Sequence, residues 1–354
     1  AFPPSAMTAG KQDPPWTKFS QSEDLTVRLR NILHDYAFGP GVFRELLQNA
    51  DDAGARRLVL FADRRTYAAR LGEGAGDRSG GGLLDERLDA WQGPAVCAFN
   101  DAEFTDADFE GICRVGASGK RGDGAKIGQY GLGFNATYHL SDVVSFVSRD
   151  RLCVFDPHEA HLPGNLPGLQ LRLGHEEVRK YAAQLAPYEA AAQACGATVW
   201  PLRGALFRLP LRSHKLAARS QICSESHSFE EILGVLSELL RGANELLLFL
   251  QSVEVVEVVV RDRCDSEPRR LGGACLRAAT GGALERLRAE RRLLAKAAGT
   301  TAQGGATRAG YAFVVDVDHC EESNAASSTA WLVAARSEPA ARAACATAAA
   351  AAAD

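Results

Sequence analysis

Glu45, Asn49 and Asp52 stand at i, i+4 and i+7 within the stretch VFRELLQNADDA, Val42 to Ala53. On a helix advancing roughly 100° per residue they fall in one stripe about 60° wide. Val42, Phe43, Leu46, Leu47, Ala50 and Ala53 cover much of the remaining girth, so a helix here should be largely buried. Burying the stripe without partners is costly, so something polar must meet it, and a metal-bound phosphate compound fits. The plain alternative is an amphipathic helix whose polar side faces water.

A second stretch is GQYGLGF, Gly128 to Phe134, which closes a run dense in glycine and basic residues from Ala117. Glycines let backbone N–H groups reach phosphate oxygens with no side chain between, and a helix start behind them adds a favourable dipole. The order is G-x-x-G-x-G after a loop. It is therefore neither the dinucleotide fingerprint nor the phosphate loop that ends in G-K-[ST]. A plain glycine-rich loop remains the alternative. His139, His158 and His161 lie close in sequence but offer no closed ligand set, and His139 reads as structural. Ser145 and Ser148 sit on a strand with no evident partner base, so a serine nucleophile is unsupported.

The elements that must position these residues follow from pattern and punctuation. Asp24 is expected to cap a helix from Leu25 to about Tyr36, striped by Leu25, Leu29, Ile32 and Leu33. FGPG (Phe38 to Gly41) then breaks the chain, and Gly54 should end the Val42 helix. Strands are expected at Ala55 to Asp63, Pro94 to Asn100, Val143 to Arg149 and Leu152 to His158. Further strands follow at Ala205 to Leu211, Val253 to Asp262 and Tyr311 to Asp318. Helices should run from Phe104 to Gly116 with Thr105 as N-cap, near Phe134 to Leu140, from Phe229 to Leu250, and from Glu285 to Ala297. Residues 72 to 82 read as a glycine-rich insertion. This order is an α+β sandwich rather than a repeating parallel βαβ unit.

Of the 354 residues, 46% are hydrophobic and 24% charged, an ordinary globular balance. A net charge of −4 gives no basic footprint, so no nucleic-acid partner is expected. The nine cysteines are an odd number with no C-x-x-C spacing; this argues against a disulfide framework or a zinc site and suits a cytoplasmic setting. No apolar run is long enough for a membrane span. The sequence begins at Ala1, which fits a fragment of a longer protein, so the lack of a signal peptide excludes little.

FRELLQNADDA, Asn100-Asp101, RVGASGK and GQYGLGF, in that order, resemble the ATP-binding domain of the GHKL superfamily, which includes gyrase, the ninety-kilodalton heat-shock chaperone, histidine kinases and MutL. The closest resemblance is to the sacsin family, including the sacsin/No Vein type of nucleotide-binding domain. QNADDAGA, QGPAVCAFNDAEFTDADFEGICRVGASGK, GQYGLGFNATYHLSDVVSFVS, CVFDPH, FRLPLR and AWLVA carry it, over roughly Asp24 to Val333. The resemblance implies a two-layer sandwich of the Bergerat type, a mixed sheet covered on one face by helices, with a C-terminal extension. The domains expected are a leader at 1–22, an ATP-binding domain at 23–262, an appended α/β subdomain at 263–335 and an alanine-rich tail at 336–354.

By the same resemblance Glu45 matches the general base, with Arg44 beside it as a tuning residue. Asn49 matches the Mg²⁺ ligand, and Asp52 the inner carboxylate near nucleotide. Gly128, Gly131, Gly133 and the helix start at Phe134 match the phosphate cradle, and Ser118 and Lys120 lie where the lid begins. The superfamily's D-x-G-x-G loop, which reads adenine, is here NDAEF without either glycine, as the resemblance to sacsin-like domains implies, leaving Asn100 or Asp101 to accept from the adenine amino group. The family's G-T step appears as Gly204-Ala205, so one hydroxyl is missing. Its loss should weaken nucleotide binding by about 0.5–1.5 kcal/mol. The expectation is a chaperone-type module that binds ATP with Mg²⁺, hydrolyses it slowly to ADP, and works on other domains of a larger chain and on protein clients or chaperones. A scaffold that has lost nucleotide affinity is the rival. A histidine kinase would need an upstream phospho-accepting histidine, and none precedes Asp24.

Overall fold

The computed structural model describes residues 23–68, 81–111, 133–262, 267–278, 288–289, 310–321 and 326–336. Its centre is β1 (Arg57–Asp63), whose LVLFA run is buried on both faces. Alternation splits that strand between two cores: Leu58, Leu60 and Ala62 enter one, Val59 and Phe61 the other. β1 pairs antiparallel with β2 (Ala95–Asn100) and parallel with β7 (Val255–Arg261).

From β2 the sheet continues through β6 (Leu202–Pro210), β3 (Val144–Arg149), β4 (Arg151–Phe155) and β5 (Gly168–Arg172). From β7 it continues through β8 (Arg269–Ala278), β9 (Gly310–Glu321) and β10 (Ala326–Arg336). All these pairings except β1 with β7 are antiparallel, giving a mixed ten-stranded sheet in an α+β chain. The boundary expected at residue 262 falls between β7 and β8, which are hydrogen-bonded neighbours.

The first core lies beneath α1 (Leu25–Asp35), α2 (Pro40–Asp52), α7 (Phe229–Arg241) and α8 (Ala243–Phe249), through Leu29, Phe43, Leu47, Leu236 and Leu247. As expected, the Asp24 carboxylate caps α1, accepting from the Thr26 N–H at 2.8 Å, and Gly54 takes the left-handed conformation after α2 with φ +80°. The helix expected over Phe229 to Leu250 is two helices, divided at Gly242.

The one-sided covering of the sheet is corrected. The second core packs beneath α5 (Ala182–Ala194) and a short 3-10 helix, Glu86–Trp91, through Leu185, Tyr188, Ala191, Leu88 and Trp91. α5 (AAQLAPYEAAAQA) is apolar on nearly every side, so it carries no amphipathic period to betray it. α3 (Asp106–Gly111) follows Thr105, whose hydroxyl accepts from the Asp108 N–H at 3.2 Å, as its expected N-cap role requires. α4 (His175–Lys180) and α6 (His214–Ala217) are the other α-helices among the described residues. None is long and apolar enough to cross a membrane. The leader and nearly all of the helix expected at Glu285 to Ala297 lie outside the described residues.

Candidate functional site

α2 begins at Pro40, where a fixed φ suits the first helical turn, and buries Val42, Phe43, Leu46, Leu47 and Ala50. The expected stripe emerges at the edge of that buried face: Glu45, Asn49 and Asp52 are each half-buried, able to meet the core on one side and solvent on the other. Arg44 is exposed.

Gly133 opens a 3-10 helix, Gly133–His139, directly against Glu45. A Cβ at Gly133 would lie 1.9 Å from Glu45 Oε2 and 2.8 Å from its Cδ, so the glutamate occupies the space a side chain would need. The structure thus joins two stretches the sequence only ordered: the stripe on α2 and the end of the glycine run. Phe134 turns inward, its ring 5.7 Å from that of Phe155 and 5.9 Å from that of Phe207. Ser118, Lys120, Gly128 and Gly131 lie outside the described residues.

The Gly133 helix is held at its far end by Arg212, a fully buried guanidinium. It donates to the carbonyls of Tyr138 at 2.7 Å and His139 at 2.9 Å and pairs with Asp142. Asp142 also accepts from the Ser220 hydroxyl at 2.9 Å. Buried charge of this kind persists only when both partners are hydrogen-bonded, and here they are. His139 donates from Nε2 to the Tyr36 carbonyl, which ties the same helix to α1.

At the other end of α2, both candidates for reading adenine have local work. Asn100 Oδ1 accepts from the Ala102 N–H at 3.1 Å. Asp101 Oδ1 accepts from the N–H groups of Arg56 at 2.8 Å and Arg57 at 3.1 Å, fixing the entry to β1. Asn100 is 6% exposed, whereas Asp101 is exposed, so only Asn100 faces the interior. Gly204 is required at its position: its φ is +121°, and a Cβ would sit 2.3 Å from the Asn100 carbonyl oxygen.

Two polar residues of this region were not legible as such. Asp51, next to Asp52, is buried and accepts from three successive N–H groups, Gln251 at 2.9 Å, Ser252 at 2.6 Å and Val253 at 2.9 Å. Ser148 is fully buried and engaged on both sides by β6 and by the turn after β2. Their partners are far away in sequence, so no local pattern signals them.

Burial holds the imidazoles of His139, His158 and His227 below their ordinary range. It also pushes the Cys97 thiol up to about 12, which keeps it protonated and inert. Among the described residues, no three His, Cys, Asp or Glu side chains gather as a metal site. Asn49 and Asp52 instead offer one amide and one carboxylate on a single stripe. That donor set suits Mg²⁺, which keeps waters and shares its coordination with phosphate rather than sitting in an all-protein cage.

The family model described as "Sacsin domain" matches residues 22–271. Over 246 residues, 66% of this chain, the sequence is 35% identical to Sacsin of Homo sapiens, and the match spans 5% of that protein's length. A solved structure, the N-terminal domain of a DNA repair protein, overlaps at a TM-score of 0.36 and 10% identity, covering 84% of this chain and 67% of that one. At that score the overlap carries no argument.

Proposed function

The chain belongs to the sacsin family, and from that premise we propose that it is an ATP-binding module of the GHKL type, related in design to the heat-shock chaperone ATPases. It binds ATP with Mg²⁺ and hydrolyses it slowly. The observation that carries this reading is the contact of Glu45 with Gly133, which sets a carboxylate against the end of a glycine run in a half-buried position.

In this reading Glu45 accepts the proton of the water that attacks the terminal phosphate. Asn49 supplies an amide oxygen to Mg²⁺, and Asp52 accepts from the waters around it. Arg44, exposed one position before Glu45 on the helix, adds a positive charge near the base. Mg²⁺, when bound, neutralises phosphate charge. Gly128, Gly131 and Gly133, with the helix start at Phe134, keep backbone N–H groups unobstructed for phosphate oxygens, and Ser118 and Lys120 belong to the lid that closes over them. Closure changes how the module packs against other domains of a larger chain and against protein clients or chaperones, in the cytoplasm. Among the described residues Cys97, Cys153, Cys195, Cys223 and Cys275 carry no disulfide, which supports a reducing compartment.

A second reading, a scaffold without useful nucleotide affinity, is favoured by one observation. The Asp101 carboxylate and the Asn100 amide oxygen are both committed to backbone N–H groups of this chain. Titration calorimetry with ATP and Mg²⁺ separates the two, since a scaffold gives no heat at millimolar nucleotide. If nucleotide binds, Glu45→Ala should retain binding and lose turnover by about 100-fold or more. Parent-like hydrolysis by that variant would rule out Glu45 as the base.

A further inference from the structure

One row of the sheet crosses β3, β6, β2 and β1 at Ser148, Ala205, Asn100 and Leu58. Register partners point to the same face of a sheet. Leu58 and Ala205 belong to the core beneath α2, so Ser148 and Asn100 face α2 as well. The Ser148 hydroxyl donates to the Gly204 carbonyl at 2.6 Å and accepts from the Phe104 N–H at 3.0 Å. Those two groups bracket Asn100. Gly204 is pressed onto the Asn100 carbonyl, and Phe104 closes the turn that Asn100 opens through Ala102.

This end of the site lacks both turn glycines and the hydroxyl at position 205 that the resemblance to the wider superfamily leads one to expect. A turn built from Asp101, Ala102 and Glu103 is less free than one with glycines, and it must be held in one place to present a base-reading group. Ser148 stands beside Ala205 in the row, so a hydroxyl is present one strand across from the missing one. Phe104 reinforces the hold, its ring 4.7 Å from Phe146 and 5.2 Å from Phe109.

We infer that Ser148 is a positioning residue for base recognition: its hydroxyl ties the 101–104 turn to β6 and so fixes how Asn100 is presented to the purine of a bound nucleotide. The inference rests on the nucleotide-binding reading and deepens it. Removing the hydroxyl leaves the half-buried Phe104 N–H and the buried Gly204 carbonyl short of a partner, and the turn relaxes toward other partners. The phosphate end keeps its own contact between Glu45 and Gly133.

The test compares the parent chain with Ser148→Ala and Ser148→Thr, titrated with Mg²⁺ and either ATP or inorganic tripolyphosphate. Ser148→Ala should weaken ATP about tenfold and leave tripolyphosphate within about twofold, and Ser148→Thr, which keeps the hydroxyl, should recover most of the loss. Without nucleotide, amide exchange at Phe104 should accelerate in Ser148→Ala. Equal losses for both ligands mean general damage and overturn the inference, as does unchanged ATP affinity or unchanged exchange at Phe104. A parent chain that binds neither ligand overturns the nucleotide reading, and this inference with it. A parent that binds ATP while Ser148→Ala binds it equally well overturns this inference alone.

Discussion

Asp51 and Asp52 are separated by roughly 100° around α2, and that rotation decides what each carboxylate does. Asp52 reaches the half-buried edge with Glu45 and Asn49, whereas Asp51 turns inward and gathers the N–H groups of Gln251, Ser252 and Val253. The stripe was legible because its spacing is local to one helix. Asp51 was not, because its partners lie 200 to 202 residues away. Ser148 was passed over for the same reason, its partners being 44 and 56 residues distant. Asp51→Ala strips three backbone donors of a charged acceptor and should cost on the order of 3 kcal/mol. Asp51→Asn keeps the oxygen that serves Ser252 and Val253 and should cost less. Urea denaturation midpoints check both, and an Ala variant as stable as the parent would refute the anchoring role.

Among the elements, those with a strong period or a clear stop were legible: α1 with its aspartate cap, α2 with its terminal glycine, and the apolar run of β1. α5 was hidden by being apolar all round, and β5 by its brevity beside Pro167. The division between α7 and α8 was hidden because Gly242 interrupts an otherwise continuous apolar pattern. That glycine has an ordinary φ of −97°, and a Cβ there would meet only the Leu239 carbonyl at 3.8 Å. Gly242→Ala should therefore fit, restrict the unfolded chain, and stabilise by about 0.4–1 kcal/mol. A calorimetric melt would show a higher midpoint; a lower one would mean that the break between the helices is needed.

At the scale of the whole molecule, three neutral histidines from separate segments make stability sensitive to acid. His158 Nε2 accepts from the Gln221 N–H at 2.9 Å, an arrangement that only an uncharged ring allows. Burial lowers the folded-state pKa of His139, His158 and His227 below the unfolded value of 6.5. Below that pH the unfolded chain binds protons that the folded chain refuses. The stability these rings contribute is therefore whole above 6.5 and is lost as pH falls from there through their folded pKa values. Melting temperature should drop between about pH 7 and pH 5. His158→Gln, which can still accept from Gln221, should show a shallower drop. A parent midpoint that stays flat over that range would contradict the assignment. Much of the order of helices and strands was visible in the sequence; the continuity of the sheet from β5 to β10 was not, since strand pairing across long separations leaves no local trace.

The space shared by Glu45 and position 133 has an evolutionary consequence. Oε2 is the far end of a flexible side chain, so a methyl group at 133 would turn the carboxylate aside rather than break the core. On the proposed function, a copy of this module kept only as a scaffold therefore has a short mutational path to silence. In the proposed reading, one substitution at a glycine codon displaces the base while Glu45 itself stays in the sequence. Retention of that glutamate is then no proof of an active copy, and the residue to read first in any relative is the one at 133.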